Sequence, residues 1–375
     1  MKRAAALVCL AAAFGAGGTA SAHASAAPTV DARAWIVEAG SGQVLAASHP
    51  DAQRAIASIT KLMTVLVVLD HHRLSDVVTV DARAADVGQE SIELRSGEQL
   101  TVRDLIRGAL IQSANDAAVA LALATSPDLT AFANLMNAKA RALGLAHTHF
   151  VRPDGLDAPG EYSTAVDVTK LARDAMNVRF VRDTVAQATA TIAGGRVLHT
   201  WNDLLGTDAG VIGVKTGHTN EAGWSQVAAD ERGGILVYTT ILGSPTREQR
   251  NADLERLLDW GLSQFRVVEA VAAGRAYAEV ALPYGRGRLR LVPSSGLRAV
   301  IPPGRVLTQR VVATRVAKLP VERGEVLGRV EIWLGSRLLG RRQLVASRSV
   351  AKPGLGGRVG WYATRTVKDI GGLFT

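Results

Sequence analysis

From Ser58 to about Asp70 the chain reads Ser-Ile-Thr-Lys-Leu-Met-Thr-Val-Leu-Val-Val-Leu-Asp, and a helix of that composition has almost no polar face. It has to be buried on most sides, so other layers of structure must cover it. Lys61 stands at its head, three residues after Ser58. An ammonium has little place there, so either Lys61 snorkels to water or its proton has a task.

On a helix, positions i and i+3 share a face, which lets Lys61 approach the Ser58 hydroxyl. A serine is a poor nucleophile until something removes its proton. Lysine can do so only if its pKa falls from about 10.4, and desolvation by the following apolar run supplies that shift. Arginine cannot substitute, because it stays protonated up to about pH 12. The chain uses only eight lysines among 43 basic residues, so lysine stands at position 61 against a strong preference for arginine.

Serine-x-x-lysine alone is weak, since roughly one or two chance matches are expected at ordinary composition. Ser349–Lys352 is such a match, in a linker followed by Pro353 and Gly354. Two companions give the first match its weight. Residues 113–115, Ser-Ala-Asn, are the single Ser-x-Asn of the chain and lie between two helical patterns, where a turn can aim Ser113 and Asn115 into a cleft. Residues 215–217, Lys-Thr-Gly, lie on a strand-like run, with Gly217 leaving room for a substrate backbone beside the edge. In this order the three motifs are the set of penicillin-binding proteins and class A β-lactamases.

The flanking elements predict an α+β fold. Residues 32–48 form a hairpin around Gly40-Ser41-Gly42, and residues 211–243 give three more strands joined by glycine-containing turns. Helical patterns lie between, one with Ser163 or Thr164 as N-cap, and an amphipathic helix over 246–265 closes the region. This is an antiparallel five-stranded sheet with helical layers. Residues 265–348 alternate short strands and turns as a small all-β domain.

Residues 1–26 combine Lys2 and Arg3, an apolar run and several Ala-x-Ala sites, the pattern of a secretory signal cleaved within 22–26. The apolar run falls short of the roughly 20 residues needed to span hydrocarbon. Cys9, the one cysteine, lies inside it, which removes disulfides, thiolate catalysis and cysteine zinc sites from the mature chain. Without Lys2 and Arg3, 41 basic side chains face 34 acidic ones. For an exported protein this charge points to anionic wall polymers and lipid headgroups, and not to nucleic acid, since no dense basic run with interleaved aromatics is present. The remaining divisions are a domain over 27–264 and a tail over 349–375, whose Val359, Tyr362, Ile370, Leu373 and Phe374 make an amphipathic, membrane-surface segment.

Across nearly the whole mature length the chain resembles the low-molecular-weight penicillin-binding proteins, serine-type D-alanyl-D-alanine carboxypeptidases. The resemblance rests on the stretches around Ser58, Ser113 and Lys215, on residues 97–122 and 132–150, and on 154–172 and 254–262. It implies that Ser58 attacks the carbonyl of the penultimate D-alanine of a pentapeptide stem while Lys61 takes its proton. Backbone N–H groups of Ser58 and His218 would form the oxyanion hole. Ser113 would relay the proton to the leaving amine, and Asn115 would bond the substrate amide or Lys61. Lys215, Thr216 and Arg250 would hold the terminal carboxylate. The resemblance further implies peptidoglycan stem peptides as substrates, β-lactams as inhibitors, a cell-envelope location, and no metal or cofactor.

Two positions depart from the family pattern. Asp154 stands where histidine is frequent, and Trp201 lies where some members have a substrate-binding arginine. Alternatives are a D,D-endopeptidase of the same family, a class A-like β-lactamase and an inactive wall-binding protein. The β-lactamase needs a glutamate in Glu-x-x-x-Asn for deacylation. Glu161 is the one glutamate between Asn115 and Lys215, and Ala165 stands where that asparagine belongs. An inactive binder has no reason to keep Lys61. A metallo-carboxypeptidase would have to draw on His71-His72 or His147 and His149, and neither pair has the His-Glu-x-x-His spacing.

Overall fold

The computed structural model of the 375-residue chain describes residues 8–13, 26–356, 359 and 361. It divides into two compact units, one over Ser25–Ser263 and one combining Met1–Ala24 with Gln264–Thr375.

The first unit is built on β1 (Ala34–Ala39), β2 (Val44–Ser48), β3 (Val211–Thr219), β4 (Gly223–Arg232) and β5 (Ile235–Ser244), in the spatial order β2-β1-β5-β4-β3. Every pairing is antiparallel; three join neighbours connected by short turns, and the β1–β5 pair closes the two ends of the unit. The helices that frame it are α1 (Lys61–His71), α2 (Asn115–Thr125), α3 (Leu129–Leu143), α4 (Ala165–Asn177) and α5 (Arg247–Ser263). Successive side chains on a strand point to opposite faces. On β5, Thr240 therefore meets Thr169 of α4, while Val237 lies under Gly261 of α5. With both faces covered, β1 is buried at every position, and this is why its sequence shows no alternation.

The apolar helix α1 is packed by α2, α3 and α4, and each of its residues from Lys61 to Val68 is buried. Local chemistry sets where the surrounding helices start and stop. Thr164 caps α4 by accepting from the Asp167 N–H, Asp128 caps α3 in the same way, and Gly144 ends α3 in the left-handed conformation. The five-strand sheet and the helices between its two halves agree with the expected fold.

In the second unit, β6 (Arg266–Val271), β7 (Ala278–Ala281), β8 (Arg288–Pro293), β9 (Leu297–Ile301), β10 (Leu307–Ala313), β11 (Val326–Leu334) and β12 (Arg337–Ala346) enclose a second core that includes Val271, Leu289, Leu291, Ile332 and Leu344. Strands β10-β11-β12-β8-β7 form one sheet, and β6 pairs with β9. Residues Val8–Ala13, within the expected signal segment, pair antiparallel with β10, and the rest of that segment before residue 26 lies outside the described residues. The amphipathic tail lies largely outside them too. Among the described residues no single helix is long and apolar enough to cross a membrane.

Candidate active site

The nucleophile motif begins in a 3-10 turn, Ala57–Thr60, and α1 proper starts at Lys61. Sequence reasoning expected the helix to begin at Ser58. The tighter turn still stacks i on i+3, and Lys61 Nζ comes to 2.7 Å from Ser58 Oγ. Lys61 is wholly buried, and its nitrogen also donates to Asn115 Oδ1 at 2.7 Å and to the Asp154 carbonyl at 2.6 Å. All three donors of an ammonium are therefore matched. Burial nonetheless pushes the Lys61 pKa down to about 8, and the negative charges of Asp154, Glu90, Glu161 and Asp116 oppose that shift.

The second motif is shaped by a π-type turn, Gly108–Gln112, that places Ser113 in left-handed backbone at φ 65°. Serine adopts that region only where its surroundings dictate it. Here the Ala114 N–H is held by the Gly108 carbonyl and the Asn115 N–H by the Glu90 carbonyl. Asn115 then begins α2, with its Oδ1 toward Lys61 and its Nδ2 toward the Gly88 carbonyl at 3.1 Å. Asp116, which sequence reasoning passed over, anchors the same region by accepting from Ser91 Oγ and from the N–H groups of Ile92, Leu94 and Ala117. An acid in the first turn of a buried helix was the available signal.

The third motif lies on β3, the edge strand, whose Gly217 pairs with Ser225 and His218 with Trp224. Lys215, 2 % exposed, donates to Ser113 Oγ at 2.9 Å and to the Thr216 carbonyl, joining the second and third motifs. Its pKa falls well below that of an ordinary lysine, first through burial and then through the charge of Lys61. The reason for Gly217 differs from the expected one. A Cβ there would lie 2.6 Å from the Ile56 carbonyl and 3.2 Å from the Ser58 nitrogen, so the nucleophile turn itself occupies the space beside it. That closeness brings the backbone of Ser58 alongside the strand edge carrying His218.

Arg250, on α5, is 1 % exposed and lines the same cleft. It donates to Asp203 Oδ2 at 3.0 Å and to Asn251, and lies over the Trp224 ring, which in turn stacks on His218 at 4.0 Å between centroids. Burial pushes its pKa down to about 10, still far above neutrality. Asp203 is itself gripped by Arg247, which also covers the Trp201 ring. Trp201, the expected departure, lines the cleft and donates its Nε1 to the Gln112 carbonyl.

The other departure is fully enclosed. Asp154 forms a two-point ion pair with Arg152, at 2.9 and 2.7 Å, directly behind the carbonyl that holds Lys61. Glu161 is engaged by Thr60 Oγ1 and the Arg152 N–H, and burial raises its pKa to about 7. Neither role was visible in sequence, because Lys61 and Thr60 reach this loop only from about a hundred residues earlier in the chain.

The structure thus gathers every sequence-predicted site residue: Lys61 joins Ser58 to Asn115, Lys215 joins Ser113 to the third motif, and Thr216, Gly217, His218 and Arg250 line the same cleft as Ser58 and Ser113. Two more open grooves lie on the β-rich unit, one around Arg329 and Arg341 and one around Tyr277 and Arg288, and neither gathers a nucleophile with a base.

Comparison with known proteins gives the family. The family model of D-alanyl-D-alanine carboxypeptidase, Peptidase S11, matches residues 21–246. The chain is 32 % identical over 360 residues to the D-alanyl-D-alanine carboxypeptidase DacC of Escherichia coli, covering 89 % of this chain and 88 % of that protein. It is 28 % identical over 334 residues to DacF of Bacillus subtilis, with 86 % of each covered. Among solved structures, penicillin-binding protein 5 of Haemophilus influenzae superposes with a TM-score of 0.62 at 28 % identity, over 87 % of this chain and 99 % of that one. The Streptomyces K15 DD-transpeptidase gives 0.60 at 33 % identity, over 64 % and 99 %. The chain belongs to the D-alanyl-D-alanine carboxypeptidase family, serine-type peptidases with the fold of penicillin-binding protein 5.

Proposed function

We propose that this protein removes the terminal D-alanine from peptidoglycan stem peptides through an acyl-enzyme on Ser58, and that β-lactams acylate the same oxygen. The observation that carries the reading is the 2.7 Å bond between Ser58 Oγ and a buried lysine whose pKa is pushed to about 8. Neutral Lys61 accepts the hydroxyl proton as Ser58 attacks the carbonyl of the penultimate residue. The developing oxyanion is stabilised by the N–H groups of Ser58 and His218, each worth about 10²–10³ in rate. Ser113, bonded to Lys215, carries a proton to the departing amine. Asn115 keeps Lys61 aimed at Ser58. Lys215, Thr216 and Arg250 receive the terminal carboxylate, a feature that favours a carboxypeptidase over an endopeptidase. Water then releases the shortened peptide.

The leader-like residues 1–26 support an extracytoplasmic site of action, where stem peptides are found. Contact of the tail with a membrane surface is part of the same proposal and rests on its sequence alone. The activity is tested by D-alanine release from diacetyl-L-Lys-D-Ala-D-Ala. Wild type is expected to turn over and Ser58→Ala to lose activity to background; equal release by both would sink the reading.

A further inference from the structure

The charge of the chain is unevenly divided. Residues 265–348 carry 16 basic and 5 acidic side chains, whereas residues 27–264 carry 21 basic and 28 acidic ones. A polyanion is therefore drawn to the β-rich unit and repelled by the catalytic one. Catalysis leaves that excess without a task. On the β-rich unit a groove of about 570 Å³, against about 180 Å³ for the catalytic cleft, has Arg329, Arg341, Arg342, Gln343, Ser294 and Thr314 in its lining. No acidic and no aromatic side chain is among its described lining residues.

Arg329 stands opposite Gln343 and Glu331 opposite Arg341 in the register of β11 and β12, so these four side chains share one face of the sheet. Glu331, 7 % exposed, accepts from Arg329 Nε at 2.7 Å with one oxygen and from Trp333 Nε1 at 3.3 Å with the other. The terminal nitrogens of Arg329 have no protein partner among the described residues, and neither has the exposed side chain of Arg341. Arg342 fixes the strand that carries Arg341, donating from Nε to the Gly296 carbonyl at 3.0 Å and from Nη1 to the Arg341 carbonyl at 2.9 Å. Guanidinium forks of this kind match the paired oxygens of a phosphate.

We infer that this groove binds a linear phosphodiester polymer of polyol or sugar units, at a site separate from the catalytic cleft. Its phosphates pair with Arg329 and Arg341, and its hydroxyls with Gln343, Ser294 and Thr314. A concave groove suits a slender chain that can lie inside it, whereas an anionic lipid surface is met by protruding cations. Nucleic acid fits less well, because the described lining offers no aromatic ring on which a base can stack. The site stands whether or not Ser58 is acylated.

The test is binding of fluorescent poly(glycerol phosphate) to the whole protein, followed by anisotropy over a range of salt around 0.15 M. In wild type, log Kd should rise with log salt at a slope of about 2, with about 0.7 from each of three arginines. Arg341→Gln should weaken binding about threefold to fivefold and lower the slope by about 0.7, with Tm unchanged because the side chain is exposed and unpartnered. Arg305→Gln is the control. It removes the same charge from the turn before β10, whose seven residues separate it from Thr314 by roughly 23 Å, well beyond a Debye length of about 8 Å. Its Kd should stay within about 1.5-fold of wild type. Equal losses in the two variants would assign binding to diffuse net charge and overturn the groove. Tighter binding to phosphatidylglycerol vesicles or to single-stranded DNA than to the polymer would overturn the choice of partner, and no binding by wild type would overturn the site altogether.

Discussion

Lys61 Nζ and Ser58 Oγ lie 2.7 Å apart inside a cleft where the lysine is completely buried. The pair works as base and nucleophile only if the amine can lose its proton. Lys61→Ala is therefore expected to lower both D-alanine release and the rate of β-lactam acylation by about 10²–10⁴. Lys61→Arg should be no better, because a guanidinium keeps its charge. Recovery of activity in the arginine variant would show that position 61 supplies only charge.

The pH dependence has a definite direction. The proposed mechanism needs neutral Lys61, so kcat/KM should rise with pH and level off above about 8, where burial has placed the lysine pKa. Asp154 opposes that shift, so Asp154→Asn should move the rising limb to lower pH while Arg152, released from its ion pair, becomes free. A limb that stays in place would mean that Asp154 acts on Lys61 only through its carbonyl.

Stability carries the same signature. The folded pKa of about 8 is below the unfolded value of about 10.4, so between them the unfolded chain binds more protons and stability rises with pH. Over that window wild type should gain roughly 3 kcal/mol relative to Lys61→Met, by the conversion of about 1.36 kcal/mol per unit. Denaturant titrations of both proteins at pH 7 and pH 10 check the difference, and parallel pH curves would contradict it.

Gly217 fixes how close the edge strand approaches the nucleophile. An alanine Cβ there would lie 2.6 Å from the Ile56 carbonyl, and relief has to come from moving the strand or the turn. Gly217→Ala is expected to cost about 1–3 kcal/mol of stability and to slow acylation by at least tenfold, because the oxyanion site opens. Gly88→Ala, where nothing lies within 4 Å of the new Cβ, is the control and should remain near wild type in Tm.

Much of this site was legible in sequence because its chemistry is local. Ser58 and Lys61 are one turn apart, Ser113 and Asn115 flank one residue, and Lys215 to His218 run along one strand. The fold was legible for a similar reason, since the apolar run of α1 and the three strands between 211 and 244 each declare their own burial. What stayed hidden depends on long-range closure. The Asp154 carbonyl reaches Lys61 across 93 residues, and Thr60 reaches Glu161 across 101. Asp203 meets Arg250 only after β3, β4 and β5 have brought α5 back over the sheet. The left-handed backbone at Ala57 and Ser113 was invisible too, because neither is a glycine and only their packed surroundings impose it.

The central claim is that Ser58 is the atom that becomes acylated. Its most direct measurement is mass spectrometry of the protein after brief exposure to a penicillin, intact and then digested. Wild type should gain the mass of one β-lactam, carried on the peptide containing Ser58, and Ser58→Ala should gain none. An adduct that persists in Ser58→Ala, maps to another residue, or fails to form in wild type would contradict the account.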